Sequence, residues 1–270
     1  MDSRELLETA KEAALIAGKI IQEGFGTAFE IDNKEGKNNL VTEYDKKAEN
    51  AIIDFISEKY PGHSFLAEES GQHGHYEAGK VHWVIDPLDG TVNFANSLPI
   101  YSVSIAAELN GEILAATIYN PTLDELFTAE KGKGAYKNGK KISVSQLDDL
   151  DKGFVVTGFP YNVADNPCSC IDHFVSMIRR GVPVRRLGSA ALDLAYVAAG
   201  IFDTFWEIDL KPWDVAAGVL LIREAGGVVT QFDGSDYRIH DRTILATNGK
   251  VHEEVKQILS TCCAVDKFIT

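Results

Sequence analysis

The sequence predicts a mixed α/β fold, on three observations. Apolar residues recur with helical period over about the first 60 residues, short apolar or alternating segments follow, and strands alternate with helices after about residue 150. At 270 residues the chain lies near the upper size for a single hydrophobic core. We therefore expect one compact unit made of two halves, residues 1–148 and residues 149–270, with Asp214 in the second half.

Two amphipathic helices are predicted at the start of the chain. Apolar residues share one helical face over residues 6–21, and Gly24 follows them as a helix terminator. A second apolar face covers residues 44–59, with Thr42 placed as its N-cap. The first sixty residues should therefore supply one helical layer.

The middle of the chain changes to the period of β-strands. Asn110-Gly111 and Asn138-Gly139 stand between such segments, where a hairpin turn needs residues that tolerate positive φ. An antiparallel sheet is therefore expected. The predicted strands cover residues 63–67, 82–86, 101–109 and 112–119.

The second half alternates between the two periods, which predicts a second sheet layer. Ser189 is placed to cap one of its helices, and Gly226 to end another. The predicted strands cover residues 154–157, 182–187 and 203–208, and the predicted helices cover residues 171–180, 190–199, 213–225 and 251–259.

Charge narrows the classes of partner. The formal net charge of −14 disfavours binding to nucleic acid or to an anionic membrane and favours divalent cations. No apolar run reaches the roughly 20 residues of a membrane span, and the first 25 residues are charged throughout, so we expect a cytoplasmic protein. The cysteines at 168, 170, 262 and 263 fit no zinc pattern and are expected to be free thiols.

The most informative segment is residues 83–91, Trp-Val-Ile-Asp-Pro-Leu-Asp-Gly-Thr. An apolar strand delivers Asp86 at its end, and Pro87 is expected to end the strand ladder there. Asp86 and Asp89 would repel each other near the core unless a cation binds between them. An isolated Asp-Pro-x-Asp-Gly would be explained equally well as an acidic surface turn.

Further carboxylates make the metal interpretation stronger than the surface turn. Glu68 and Glu69 follow another apolar strand, and Asp214 stands at a predicted helix start. Oxygen ligands of this kind favour Mg²⁺ or Mn²⁺ over Zn²⁺. Two such ions, roughly 3.5–4 Å apart, can activate a water and stabilise a leaving oxygen. Residues 90–93 could begin a short helix whose backbone amides hold phosphate oxygens.

A competing phosphatase chemistry uses an aspartyl-phosphate. Phosphatases of the haloacid dehalogenase type also place an Asp pair after an apolar strand, but one residue separates that pair. Here Pro87 and Leu88 both lie between Asp86 and Asp89. The spacing therefore favours direct attack by water.

These segments together resemble the inositol monophosphatase family. The pattern of Glu-Glu, then Asp-Pro-x-Asp-Gly-Thr, then Trp-Asp occurs in that order, with Gly-Ser-Ala-Ala at 188–191 and Glu-Ala-Gly-Gly at 224–227 as added matches. The resemblance runs from the first helix to about residue 250. It implies a layered αβαβα sandwich, a homodimer, and two or three bound Mg²⁺ ions, with Mn²⁺ as a substitute.

The resemblance also implies roles for individual residues. Thr91 would orient the attacking water, supported by Asp45, and Glu68 would take part in catalysis. Glu207 matches the carboxylate that accepts hydrogen bonds from substrate hydroxyls. The implied metal ligands are Glu68, Asp86, the carbonyl of Leu88, Asp89 and Asp214, and the implied substrate contacts are Asp89, Gly90, Thr91, Gly188, Ala190, Glu207 and Asp214.

One position departs from the family pattern. Asn39 stands where the family usually has Asp before Leu-Val-Thr, which predicts a weaker third metal site with the two-metal centre intact.

The predicted function is hydrolysis of myo-inositol 1-phosphate, a small phosphorylated polyol, by metal-activated water. The same chemistry on fructose 1,6-bisphosphate, histidinol phosphate or NADP stays open, with Glu207 favouring inositol. A binding role as an accessory factor of the transcription machinery also stays open. The basic residues Arg179, Arg180, Arg185 and Arg186 are the surface on which to test it, and they are left out of the predicted catalytic site.

Overall fold

The computed structural model describes residues 2–33 and 40–263, so Asn39 lies outside the described residues. The helices are α1 (Ser3–Gly24), α2 (Glu43–Lys59), α3 (Thr91–Ala95), α4 (Cys170–Arg179), α5 (Ala190–Ala198), α6 (Pro212–Glu224) and α7 (His252–Cys263). The strands are β1 (Ile31–Asn33), β2 (Leu40–Thr42), β3 (Ser64–Ala67), β4 (Gly71–His73), β5 (Val81–Asp89), β6 (Ser102–Leu109), β7 (Glu112–Asn120), β8 (Glu125–Glu130), β9 (Gly134–Lys137), β10 (Lys140–Ile142), β11 (Val155–Thr157), β12 (Val184–Arg185), β13 (Thr204–Ile208), β14 (Val228–Thr230) and β15 (Thr243–Thr247).

The helices predicted from apolar period are confirmed in place and type. The α1 helix ends at Gly24, and Thr42 caps α2 by accepting hydrogen bonds from the backbone N–H groups of Tyr44 and Asp45. Asp45 completes a capping box, because its carboxylate accepts from the Thr42 N–H at 2.8 Å. The cap therefore fixes the position of the Asp45 side chain.

The first sheet has eight strands in the order β10-β9-β8-β7-β6-β5-β3-β4. Both predicted hairpin turns are confirmed, with positive φ at Asn110, Gly111, Asn138 and Gly139. The prediction of an antiparallel sheet is wrong for one pair, since β3 and β5 run parallel. The β4 strand turns back along the outer edge of β3 before the chain crosses to β5, so β3 and β5 end at the same edge of the sheet.

The expected end of the β5 ladder at Pro87 is also wrong. Asp86 pairs with Ser104 and Asp89 pairs with Ser102, so three steps along β5 match two along β6 and form a bulge. Pro87 has no N–H to donate, and the bulge lies around it. Both aspartates therefore stay within one strand.

A second sheet of five strands, in the order β12-β11-β13-β15-β14, confirms the expected second layer. Three apolar cores separate the layers. One lies between α1, α2 and the first sheet, one holds α5 and α6 between the two sheets, and one packs α4 and α7 on the far side of the second sheet. The layered αβαβα sandwich is thus confirmed, while the division at residue 148 stays a prediction.

Two smaller expectations concern the thiols and the membrane. Within the part of the chain that the structure describes, Cys168 and Cys170 form no disulfide bond, as predicted, and the side chains of Cys262 and Cys263 lie outside that part. No helix in the described ranges is both long enough and apolar enough to cross a membrane.

Candidate active site

One cavity of about 930 Å³ brings the predicted site together. Its wall includes the ends of β3 and β5, the start of α3, the loop before α5, the end of β13 and the start of α6. Asp45 is buried behind Thr91 and is the one predicted site residue that does not line the cavity. The predicted residues on the wall are Glu68, Asp86, Leu88, Asp89, Gly90, Thr91, Gly188, Ala190, Glu207 and Asp214.

Asp86 is the most deeply buried carboxylate of this group, at 1% exposure. Its Oδ1 accepts a hydrogen bond from the Leu88 N–H at 2.9 Å across the bulge. Burial raises the pKa of Asp86 well above its ordinary value, and the charges of Glu68, Asp89 and Asp214 raise it further. Glu68 lies close because the parallel pairing of β3 and β5 lets its N–H donate to the Ile85 carbonyl at 3.1 Å.

Asp89 connects the first sheet to α5. Its Oδ2 accepts from the Ser189 hydroxyl at 2.6 Å and from the Ala191 N–H at 2.7 Å. Burial raises the pKa of Asp89 to about 6, although these two donors act in the opposite direction. Ser189 thus has a second task besides capping α5 through the Leu192 N–H.

Asp214 is held by the start of α6. Its Oδ2 accepts from the Lys211 N–H at 2.7 Å, which is the capping geometry of that helix. Burial raises the pKa of Asp214 well above its ordinary value, followed by the charges of Asp89 and Glu68. The carboxylates of the site therefore destabilise one another in their ionised forms.

The donor chemistry of this cluster fits a hard divalent cation. Among the described residues, no group of three or more His, Cys, Asp or Glu side chains is arranged so that it could hold a metal ion as it stands. Asp89 and Asp214 each turn one carboxylate oxygen to hydrogen-bond donors of the protein. The atoms of the cluster are nonetheless oxygens, from four carboxylates and the Leu88 carbonyl. A cation among them would relieve the repulsion that, after burial, raises the pKa values of Asp86, Asp89 and Asp214.

Thr91 and Asp45 form a hydrogen-bonded pair beside the carboxylates. The Thr91 hydroxyl lies 3.0 Å from Asp45 Oδ1 and 3.0 Å from the Leu88 carbonyl oxygen. Burial raises the pKa of Asp45 to about 6, against the opposing effect of the donors from Thr42 and Thr91. Thr91 is the first residue of α3, and the left-handed φ of Gly90 (99°) allows the chain to turn there.

Glu207 lies on β13 and lines the same cavity. It is 8% exposed, and burial raises the pKa of its carboxyl, followed by the charges of Asp214 and Asp89, with Arg186 acting in the opposite direction. A Cβ atom at Gly158 would lie 2.1 Å from Glu207 Oε2. The absence of a side chain at residue 158 is therefore what leaves room for this carboxylate.

Gly188 and Ala190 reach the cavity through the loop before α5, and Asn93 fixes that loop. The Asn93 Nδ2 donates to the Ile100 carbonyl at 2.7 Å and to the Leu187 carbonyl at 2.8 Å. This side chain ties α3 to the chain segment that leads into α5.

The four arginines do not form one basic surface. Arg180 pairs with Asp151 at 2.7 Å and with Glu254, and Arg185 stacks over the Phe154 ring. Arg186, which the sequence analysis leaves out of the predicted catalytic site, lines the cavity. The run of arginines did not indicate this position of Arg186, because the position depends on the packing of β12 beside β11 in the second sheet.

Asp193 was also missed, although the sequence carries an indication of it. It is the single carboxylate in the otherwise apolar segment of α5, and it is 1% exposed on the cavity wall. An ionisable residue in a helix that is apolar on every side is a candidate functional residue.

Comparison with known proteins agrees with this geometry. The sequence profile described as the inositol monophosphatase family matches residues 2–264. A Nus factor SuhB from Salmonella typhimurium is 44% identical over 247 residues, which cover 91% of this chain and 92% of that protein. An inositol-1-monophosphatase from Synechocystis sp. is 42% identical over 259 residues, covering 96% of this chain and 90% of its own length. The crystal structure of the suhB protein from Bartonella henselae superposes with a TM-score of 0.89 at 37% identity, over 94% of this chain and 98% of that one.

Proposed function

Because the chain belongs to the inositol monophosphatase family, we propose that it is a magnesium-dependent phosphomonoesterase that converts myo-inositol 1-phosphate to inositol and phosphate. One observation carries the proposal. One cavity is lined both by four carboxylates, among which a metal and phosphate would bind, and by the buried Glu207, to which hydroxyl groups would bind.

The metal would be held by Glu68, Asp86, Asp89, Asp214 and the Leu88 carbonyl. When bound, Mg²⁺ supplies Lewis acidity to the phosphate and the attacking water. Mn²⁺ has the same preference for oxygen ligands and should substitute. Two or three ions and a homodimer are part of the proposal, and Asn39 is expected to weaken a third site.

Thr91 and Asp45 would position the water. When the Thr91 hydroxyl donates its proton to Asp45 Oδ1 and not to the Leu88 carbonyl, which lies equally close, the lone pairs of Thr91 Oγ1 can accept a hydrogen bond from water. The water oxygen forms a bond to phosphorus as the bond to the polyol oxygen breaks. The water proton passes through Thr91 to Asp45, and the leaving oxygen takes a proton from solvent.

The substrate would lie with its phosphate at Gly90 and Thr91 and its ring towards Glu207. An added Cβ at Gly90 would lie 3.0 Å from the Ile100 carbonyl, so this turn has no room for a side chain. Phosphate oxygens would accept hydrogen bonds from backbone N–H groups at this turn. Gly188 and Ala190 would contact the ring, and Glu207 would accept hydrogen bonds from its hydroxyls.

The test is phosphate release from inositol 1-phosphate, fructose 1,6-bisphosphate, histidinol phosphate and NADP, with and without Mg²⁺. We expect Mg²⁺-dependent release that is fastest with inositol 1-phosphate. Asp89→Asn should abolish turnover without unfolding the protein, whereas Asp54→Asn, on the exposed face of α2, should have no effect. Preference for another ester would keep the chemistry and change the substrate, and normal activity of Asp89→Asn would overturn the proposal.

A second candidate is a binding role in transcription, because one relative at 44% identity is named a Nus factor. The expectation that nucleic acid is no partner thus stays a prediction. Capture of RNA polymerase from a lysate should then persist in Asp89→Asn and decrease when Arg179 and Arg185 are neutralised. No capture by the wild-type protein would count against this role.

A further inference from the structure

Asp193 is a buried carboxylate that local structure does not require. It lies in the first turns of α5, but the N-cap of that helix is already supplied by Ser189, whose hydroxyl accepts from the Leu192 N–H. The Asp193 Oδ1 is buried and has no hydrogen-bond partner in the described part of the chain. An unpaired buried carboxylate is strongly unfavourable, so a ligand that pairs with it would gain that free energy.

Asp193 lines the cavity together with Glu207 and Arg186. Burial raises the pKa of Asp193, and the charge of Glu207 raises it further. Arg186 acts on both carboxylates in the opposite direction and lies on the exposed rim of the same cavity. The cavity wall therefore holds the carboxyl groups of Asp193 and Glu207 together with the guanidinium of Arg186.

This charge arrangement selects a class of ligand. Burial and neighbouring carboxylates raise the pKa values of Asp193 and Glu207, which means that negative charge is unfavourable at these residues. A second phosphate on the substrate would add negative charge beside them and would be disfavoured. An ammonium group would meet Arg186, which already neutralises part of the negative charge. Hydroxyl groups carry no charge and donate hydrogen bonds that carboxylate oxygens accept without competition.

We propose that Asp193 is a specificity-determining residue which, together with Glu207, selects phosphate monoesters of uncharged polyhydroxy alcohols and rejects esters with a second anionic group. This inference rests on the proposed phosphatase function and deepens it by naming the substrate class. Asp193 accepts a hydrogen bond from a ring hydroxyl and takes no part in the attack on phosphorus.

The experiment compares the wild-type enzyme with Asp193→Asn and Asp193→Ala on three esters in Mg²⁺. These are inositol 1-phosphate, fructose 1,6-bisphosphate and p-nitrophenyl phosphate, which has no hydroxyl groups in its leaving group. The control is Asp203→Asn. Asp203 is a buried aspartate outside the cavity, whose carboxylate binds the Phe154 N–H at 2.7 Å and the Ser145 hydroxyl.

A lost hydrogen bond to a charged acceptor should lower kcat/KM for inositol 1-phosphate about ten- to a hundredfold in Asp193→Ala, mainly through KM. Turnover of p-nitrophenyl phosphate should not change. Asp193→Asn removes the acidic group and keeps the shape of the side chain. It should therefore lower the ratio of kcat/KM for inositol 1-phosphate to kcat/KM for fructose 1,6-bisphosphate by a similar factor. Asp203→Asn should lower the melting temperature and leave the ratio unchanged.

The outcomes separate this inference from the proposed function. No turnover of any ester by the wild-type enzyme overturns the proposed function and the inference with it. If the wild-type enzyme is active, equal losses of kcat/KM on all three esters in the Asp193 variants mean that Asp193 is only structural. An unchanged ratio of kcat/KM between the monophosphate and the bisphosphate means that Asp193 does not select the substrate. A wild-type preference for fructose 1,6-bisphosphate over inositol 1-phosphate would also overturn the inference, because the second phosphate would then be accepted.

Discussion

Replacing Gly158 by alanine tests whether the position of Glu207 determines recognition of the polyol. The new methyl group would lie 2.1 Å from Glu207 Oε2 and 2.4 Å from Oε1, so the carboxylate must withdraw by roughly 1 Å or more to reach van der Waals contact. Loss of a hydroxyl hydrogen bond to a charged acceptor corresponds to about 1.5–3 kcal/mol. We therefore expect kcat/KM for inositol 1-phosphate to fall about ten- to a hundredfold, with most of the change in KM.

The assay is steady-state phosphate release from inositol 1-phosphate and p-nitrophenyl phosphate, with the unfolding midpoint in urea measured for each variant. Gly62→Ala is the matched control, because neither glycine has a positive φ and no atom lies within 4 Å of a Cβ at residue 62. A Gly→Ala change without strain stabilises by about 0.4–1 kcal/mol, so Gly62→Ala should not lower the unfolding midpoint. Gly158→Ala should lower it only by what the displacement of the Glu207 carboxylate costs. If Glu207→Ala raises KM and Gly158→Ala leaves it unchanged, the reasoning from this contact is refuted.

Three further predictions concern the Thr91 hydroxyl, the Asn93 side chain that links α3 to the loop before α5, and the buried His173. Thr91→Val should lower kcat about 10²–10³-fold in phosphate release, because Asp45 loses its link to the water, while Thr91→Ser keeps activity. Asn93→Asp cannot donate to the two carbonyls that Asn93 binds, and urea unfolding should show a loss of about 1–3 kcal/mol. Burial lowers the pKa of His173 below its ordinary value of 6.5. As the pH falls, His173 therefore takes up a proton in the unfolded chain before it does so in the folded protein. The free energy of unfolding should be at its full value above pH 6.5 and should decline below it. His173→Phe should reduce this decline by up to about 1.4 kcal/mol per pH unit in urea unfolding at pH 5–7.

Each of these has a result that would contradict it. Full kcat in Thr91→Val would exclude the Thr91 hydroxyl from the reaction. An unchanged unfolding midpoint in Asn93→Asp would show that the hydrogen bonds of Asn93 contribute no stability. An unchanged acid dependence in His173→Phe would assign the decline to other groups, such as His82 and His252, whose pKa values burial also lowers.

Local pattern was sufficient for most of the secondary structure. The apolar period of α1 and α2, the capping residues Thr42 and Ser189, and the Asn-Gly hairpin turns all depend on residues a few positions apart. Such preferences act within one element, and for this reason they can be recognised without knowing what the element packs against.

The direction of β3 relative to β5 and the bulge at Pro87 could not be predicted in this way. Both depend on which strands become neighbours in the sheet, and β4 takes the edge beside β3 although it has only three residues. The candidate site was predicted as a set of residues because its motifs match a family pattern, and their roles stay proposals. The hydrogen bonds from Asn93 to two backbone carbonyls and the unpaired carboxylate oxygen of Asp193 were not predicted.

The sequence by itself determined the elements, the acidic strand ends and the residues that resemble a phosphatase centre. Only the tertiary structure decided that Asp89 binds Ser189, a hundred residues away, and that Arg186, Asp193 and Glu207 line the same cavity. The physical reason is that a hydrogen bond or a pKa shift depends on distance in space. Packing α5 and α6 between the two sheets brings together charges that no local pattern relates.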